Sequence, residues 1–154
     1  MTSDIVFGVM TREDIPQLVA IEEACFAHPW TYEGFEAELD NSTANFITVK
    51  WGNDVVGYIG FHAVLDEGYV DNIAVLPEYR RRGLAKMLMN KAFDRCDELQ
   101  LSFLSLEVRK SNAAAIALYE QFGFETVGER KRFYTAPTED ALIMTVYFDK
   151  KDLI

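Results

Sequence analysis

Residues 69–86 read "YVDNIAVLPEYRRRGLAK", and the rest of the chain falls into place around them. Tyr69 to Leu76 reads as a β-strand, rich in valine and isoleucine. Pro77 closes it. Three arginines follow, Arg80, Arg81 and Arg82, then Gly83. A helical pattern begins there, with Leu84, Leu88, Ala92 and Cys96 on one stripe and Met87 beside it. A helix N-terminus presents unpaired N–H groups and a partial positive charge. Where the preceding turn lets the backbone come close, such an end holds phosphate. Gly83 has no side chain to obstruct that approach, and Ala85 is nearly as small. Arg80, Arg81, Arg82 and Lys86 add positive charge. The plain alternative is a solvated basic loop, because Arg-x-x-Gly-x-Ala is short and common. The context favours the ligand, since nucleotides in open α/β sheets sit at strand-to-helix turns. The turn has neither the Gly-x-x-x-x-Gly-Lys-Ser/Thr spacing of a P-loop nor the Gly-x-Gly-x-x-Gly of a dinucleotide fold.

Outward from this turn, short elements alternate. "IVFGVM" (5–10) reads as a strand. Thr11 opens a helix, with Asp14 three residues on as an acidic variant of the capping box and Pro16 in its first turn. Ile15, Leu18, Ile21 and Cys25 form its apolar stripe. A second helix starts near Thr31 and carries Phe35 and Leu39. "NFITVKW" and "VVGYIGFHAV" flank the turn formers Gly52, Asn53 and Asp54, a hairpin signature. In "LSFLSLEV" (101–108), Leu104, Leu106 and Val108 alternate with Phe103, Ser105 and Glu107. "SNAAAIALYEQFGF" has a Ser/Asn cap, an alanine-rich helix and a stop at Gly123. Strands near 126–134 and 141–148 end the pattern. The order βααβββαβαββ predicts an α/β (α+β) fold. About seven strands form a mixed sheet flanked by about four helices, with a parallel, right-handed β-α-β unit over 69–108. No linker, repeat or low-complexity segment divides the chain, so residues 1–154 are read as one domain.

The 154 residues are enough to bury about 68–70% of the unfolded surface. Hydrophobic residues make up 49% and charged residues 26%, with a formal net charge of −10. That balance disfavours a nucleic-acid partner and suits a basic one, such as a cationic peptide tail. Two cysteines, Cys25 and Cys96, make neither a disulfide framework nor a metal set. With His28 and His62 they form no ligand spacing, so no metal is expected. The N-terminus carries no signal-peptide pattern, and no run approaches a membrane span. A cytoplasmic protein with reduced thiols, no membrane and no direct nucleic-acid contact is expected.

"IAVLPEYRRRGLAKML" resembles the acyl-coenzyme A motif of the GNAT N-acetyltransferases. "LEVRKSNAAAIALYEQFGF", followed by "GERKRFY" and "DALIM", resembles the RimI-like branch of that family, which acetylates protein N-termini. The similarity runs from the first strand to "ALIMTVYF". It implies the GNAT fold and acetyl-CoA as cosubstrate, bound between two splayed parallel strands. The main chain of Ile73, Ala74 and Val75 would pair with the pantetheine arm, one N–H polarising the acetyl carbonyl. Arg81, Arg82, Gly83, Leu84, Ala85 and Lys86 would hold the pyrophosphate. Asn112 would be an ordinary N-cap, a coenzyme A contact, or both.

Glu107 stands in a strand whose alternate positions are leucine and valine. Such a carboxylate belongs either to a sheet edge or to function, and the resemblance assigns it as general base. An α-amine has a pKa near 7.7–8.0 against about 10.4 for lysine, so at pH 7 roughly a tenth of α-amines but only about one lysine in two thousand is neutral. A glutamate base, acting directly or through water, suits the former. Tyr119 on its own reads as packing. By resemblance it is the general acid that protonates the departing thiolate, and it also touches the cofactor. Trp30, in "AHPWTYEGF", and Tyr134, after Arg130, Arg132 and Phe133, match positions beside the peptide groove. Trp30 could equally staple the second helix. His28 reads as a loop residue, and His62, Cys25 and Cys96 as packing.

The resemblance implies transfer to the N-terminal alanine of a small-subunit ribosomal protein. Ala85, where glycine is more usual, and the "VDN" before "IAV" depart from the commonest pattern. The rival readings are a GNAT acting on small amines, amino acids or antibiotics, and a non-catalytic coenzyme A-binding module. These motifs do not encode an oligomeric state.

Overall fold

A computed structural model describes residues 4–148. Strand β1 (Ile5–Val9) leads to a 3-10 turn (Arg12–Asp14) and helix α1 (Ile15–Cys25). The Thr11 N–H donates to Asp14 Oδ2 at 2.9 Å, so the expected acidic capping box forms. Helix α2 (Tyr32–Leu39) is capped by Thr31, whose Oγ1 accepts from the Gly34 N–H at 3.1 Å. Strands β2 (Ala44–Trp51) and β3 (Asp54–Val64) form the hairpin around Gly52 and Asn53. Strand β4 (Glu67–Val75) precedes a 3-10 turn (Pro77–Tyr79) and helix α3 (Leu84–Glu98). Strand β5 (Phe103–Arg109), helix α4 (Ala113–Gln121), β6 (Glu125–Tyr134) and β7 (Glu139–Tyr147) complete the order.

The seven strands form one sheet in the order β1-β2-β3-β4-β5-β7-β6. Only β4 and β5 run parallel, as a β-α-β unit requires; the other neighbours are antiparallel. The sheet separates two cores. On one face Leu84, Leu88, Met89, Ala92 and Cys96 of α3 pack with Leu104, Leu106 and Val108 of β5 and Tyr119 of α4. On the other, Ile15, Leu18 and Ile21 of α1 pack with Phe35, Phe46, Tyr58 and Ala74. The α3 stripe differs from expectation at one point. Met89 is fully buried while Met87 is exposed. Met89 lies three residues before Ala92 and so falls on the core face.

The contact between β4 and β5 is short. Their register covers Glu67↔Phe103, Gly68↔Leu104 and Tyr69↔Ser105 and then stops. Both strands continue, β4 to Val75 and β5 to Arg109, without pairing to each other. A bulge begins at the same level. Val70 pairs with Phe61 and Asn72 with Gly60, which leaves Asp71 as the extra residue of β4. The sheet thus opens into a V-shaped gap.

Candidate active site

One lip of the gap is main chain. The Leu76 N–H donates to the Val56 carbonyl, so Leu76 and, by alternation, Ala74 turn their backbone groups toward β3. Ile73 and Val75 turn theirs toward the gap. The Val75 carbonyl is engaged there, accepting from Arg80 Nε at 3.0 Å and from Cys25 Sγ at 3.6 Å. Of the three residues expected to offer main chain to a ligand, Ala74 is therefore committed to the sheet.

Below that lip lies the arginine turn. Gly83 caps α3 with φ +81°, and Arg81 also has positive φ, +63°. The glycine is required by conformation, because a Cβ built there meets no protein atom. The Met87 N–H goes back to the Gly83 carbonyl, and no side chain caps the helix. The N–H groups of Leu84, Ala85 and Lys86 thus have no partner within α3. The arginines are not equivalent. Arg80 reaches Val75 and Cys25, at 3.4 Å from Sγ. Arg82 lies over the rings of Trp51 and Tyr79, at 5.2 and 5.6 Å. Cys25, half-buried, packs against the α1 core as expected and also lies beside Arg80; burial raises its thiol pKa and Arg80 opposes the rise. Cys96 is core, as expected, its thiol pushed up to about 12 by burial.

The other lip carries side chains. Glu107 projects from β5 on the face opposite Leu106 and Val108. Its side chain is 32% exposed, and its Oε2 accepts from Arg130 Nε at 3.3 Å. Tyr134 is half-buried, with the Arg109 guanidinium over its ring at 4.5 Å. Burial and then the Glu107 charge push its hydroxyl up to about 12. Tyr119 is 6% exposed and packs against Phe124 at 5.7 Å. Burial raises its pKa strongly, with Tyr134 adding to the rise, so the hydroxyl keeps its proton at neutral pH. Among the described residues no hydrogen bond engages it. Glu107, Tyr134 and Tyr119 therefore gather at the parted end of the strands. Asn112 caps α4, its Oδ1 accepting from the Ala115 N–H at 3.2 Å.

Trp30 packs against Phe35 and Phe46 with ring centres 5.2 and 5.7 Å apart, which is the stapling arrangement. His28 does more than occupy a loop. Its Nε2 lies 2.9 Å from Thr135 Oγ1, joining the α1–α2 connection to the β6–β7 turn. His62 is not core packing. It stands between Glu38 of α2, which its Nε2 approaches, and the bulged Asp71, to which its Nδ1 is hydrogen-bonded. The Asp71 carboxyl is pushed up to about 6, mainly by burial, with the charges of Glu38 and Glu107 adding and His62 opposing.

Sequence reasoning missed Glu22. This carboxylate is fully buried. It accepts from the Trp30 N–H at 2.8 Å, the Tyr58 hydroxyl at 2.5 Å and Asn72 Nδ2 at 3.1 Å. The signal was present, since Glu22 follows Leu18 by four residues and Ile15 by seven, a core-facing position filled by an acid.

A parallel pair that parts, an uncapped helix N-terminus after a basic turn, and a carboxylate with a buried phenol beside the gap define a class. The pattern of the acetyltransferase (GNAT) family matches residues 15–124, and the chain belongs to that family. Within it, the chain is similar to two proteins named for one modification. The putative ribosomal protein bS18-alanine N-acetyltransferase of Bacillus subtilis is 41% identical over 89% of this chain and 91% of that one. The ribosomal protein bS18-alanine N-acetyltransferase of Escherichia coli K12 is 38% identical over 86% and 90%. The crystal structure of the Escherichia coli ribosomal-protein-S18-alanine N-acetyltransferase superposes with a TM-score of 0.87 at 32% identity, covering 97% of this chain and 99% of that one. Arabidopsis thaliana NAA60, crystallised with acetyl-CoA, shares the fold at a TM-score of 0.84 and 19% identity over 94% of this chain and 99% of that one. Among the described residues no group of three or more His, Cys, Asp or Glu side chains could hold a metal, and no helix is long and apolar enough to cross a membrane.

Proposed function

We propose that the chain transfers an acetyl group from acetyl-CoA to the α-amino group of a protein, the N-terminal alanine of ribosomal protein bS18, in the cytoplasm. The observation that carries this reading is the parting of β4 from β5 beyond Tyr69 and Ser105, with Glu107 and Tyr119 at the opening. The similarity to enzymes named for bS18-alanine acetylation supports the acceptor.

Acetyl-CoA supplies a thioester whose acyl group passes to the amine as the thiolate leaves. The main-chain groups of Ile73 and Val75 receive its arm as an added strand is received, and the N–H of one of these two residues donates to the acyl oxygen. The N–H groups of Leu84, Ala85 and Lys86, reached past Arg81, Arg82 and Gly83, hold the pyrophosphate. Asn112 keeps its cap and offers its amide nitrogen. Glu107 draws the proton from the incoming ammonium, directly or through one water, while Arg130 occupies one of its oxygens. Tyr119, kept protonated by burial, gives its hydroxyl proton to the leaving sulfur and regains one from the nitrogen, which sheds its second proton as the amide forms. Trp30 and Tyr134 flank the approach of the acceptor, and the net charge of −10 favours a basic ribosomal protein.

The test is incubation with acetyl-CoA and a synthetic peptide carrying the bS18 N-terminus, followed by mass spectrometry. The expected product bears acetyl on the alanine α-amine. Acetyl on an internal lysine only, or on small amines in preference to the peptide, contradicts the reading.

A further inference from the structure

We infer that Glu22 is a positioning residue for the acceptor wall, holding the α1–α2 connection and the parted end of β4 in fixed relation; the inference rests on the acceptor reading above. Its carboxylate is fully buried, and no cationic side chain pairs with it among the described residues. A buried acid of this kind is costly, and an apolar residue of similar volume is usually no worse for stability. The bonds it makes show what it does there. Oε1 takes the main-chain N–H of Trp30, at the entrance segment that His28 also ties to Thr135. Oε2 takes Tyr58 of β3 and Asn72 of β4. Asn72 sits between the bulged Asp71 and Ile73, the first residue offering main chain to the gap. One carboxylate therefore links the segment on one side of the acceptor entrance to the strand on the other. Both links run through hydrogen bonds of fixed direction, so the spacing between them is set by the acid.

The arrangement predicts a separation between substrates. Glu22→Gln keeps the volume but replaces one acceptor oxygen with a donor, so the three donors as they now point are no longer all accepted, and the Tyr58 hydroxyl must turn and the Asn72 amide flip to compensate. The acceptor-peptide KM should rise about tenfold, near 1.4 kcal/mol, while the acetyl-CoA KM stays within a factor of two. Asn72→Ala and Tyr58→Phe each remove one partner of the same carboxylate. They should give smaller rises in the same KM, and combining either with Glu22→Gln should be less than additive. In a Trp51→Phe background, Trp30 fluorescence should shift to the red in Glu22→Gln, a readout that needs no turnover. A residue that only stabilises the fold would lower the melting temperature and leave both KM values in place. The inference is overturned if folded Glu22→Gln and Asn72→Ala proteins keep the wild-type acceptor KM, or if the two KM values move together. Should Glu22→Gln fail to fold, Asn72→Ala and Tyr58→Phe decide it alone. Wild-type protein that acetylates no N-terminal amine would instead break the reading beneath it.

Discussion

The two sides of the gap are built from different material. The side proposed for acetyl-CoA is main chain: the edge of β4 at Ile73 and Val75, unpaired with β5, and the open N-terminus of α3 after Gly83. The side proposed for the acceptor is a set of polar side chains: Glu107, Tyr134 and His62, half-buried, the more exposed Asp71 and, behind them, the buried Glu22. A backbone site depends on conformation and tolerates most side-chain changes. A site of partnered side chains depends on identity, because a partner left behind in a buried place is costly.

Several substitutions probe that difference. The largest effects are expected at the pair proposed to move protons. Glu107→Gln and Tyr119→Phe should each lower kcat by about 10²–10⁴-fold. Tyr119→Phe should do so with little change in melting temperature, since among the described residues the hydroxyl has no bonded partner to lose. Steady-state kinetics with thermal melts on the same proteins checks both. Gly83→Ala comes next. It forces a Cβ into φ +81°, at a cost of about 1–2 kcal/mol. It should lower the melting temperature and raise the acetyl-CoA KM while leaving the acceptor KM in place.

Asp71 gives a pH signature on the acceptor side. Its carboxyl is raised from 3.8 to about 6 in the folded protein. Between those values the folded state holds a proton that the unfolded state has lost, so its contribution to stability falls as pH rises through that window. Urea unfolding from pH 4 to 7 should show this slope, and Asp71→Asn should flatten it. The smallest effect is expected at Arg82. Its guanidinium rests on Trp51 and Tyr79, a contact of about 0.5–1 kcal/mol at an exposed site. Arg82→Ala should cost about that much stability and change the acetyl-CoA KM far less than Gly83→Ala does.

The same difference explains what could be read from the sequence. Element order, the capping box at Thr11, the hairpin at Gly52 and the stop at Gly123 follow local rules, and each appears where those rules put it. So does the turn at Gly83, because glycine after a strand and before a helix is a local signal. Boundaries shifted by one or two residues, as in β4, which starts at Glu67 rather than Tyr69. The acceptor side was less legible because its contacts join distant segments. His62 meets Glu38 and Asp71 only once α2, β3 and β4 are stacked. Arg130 reaches Glu107 from the far edge of the sheet, across 23 positions of sequence. The departure "VDN" was visible as a departure, but the bulge that makes Asp71 the extra residue depends on register with β3. Glu22 alone could have been found by spacing, as an acid in a core stripe.

In the proposed function, the gap between β4 and β5 receives the acyl carrier through main-chain groups. Amide NMR of the protein titrated with acetyl-CoA alone tests it most directly. The N–H signals of Ile73, Val75, Leu84, Ala85 and Lys86 should shift and gain protection from exchange, while those of Ala74 and Leu76, already committed to β3, should gain no protection. Protection centred on another part of the sheet, or no change on addition of acetyl-CoA, would contradict the account.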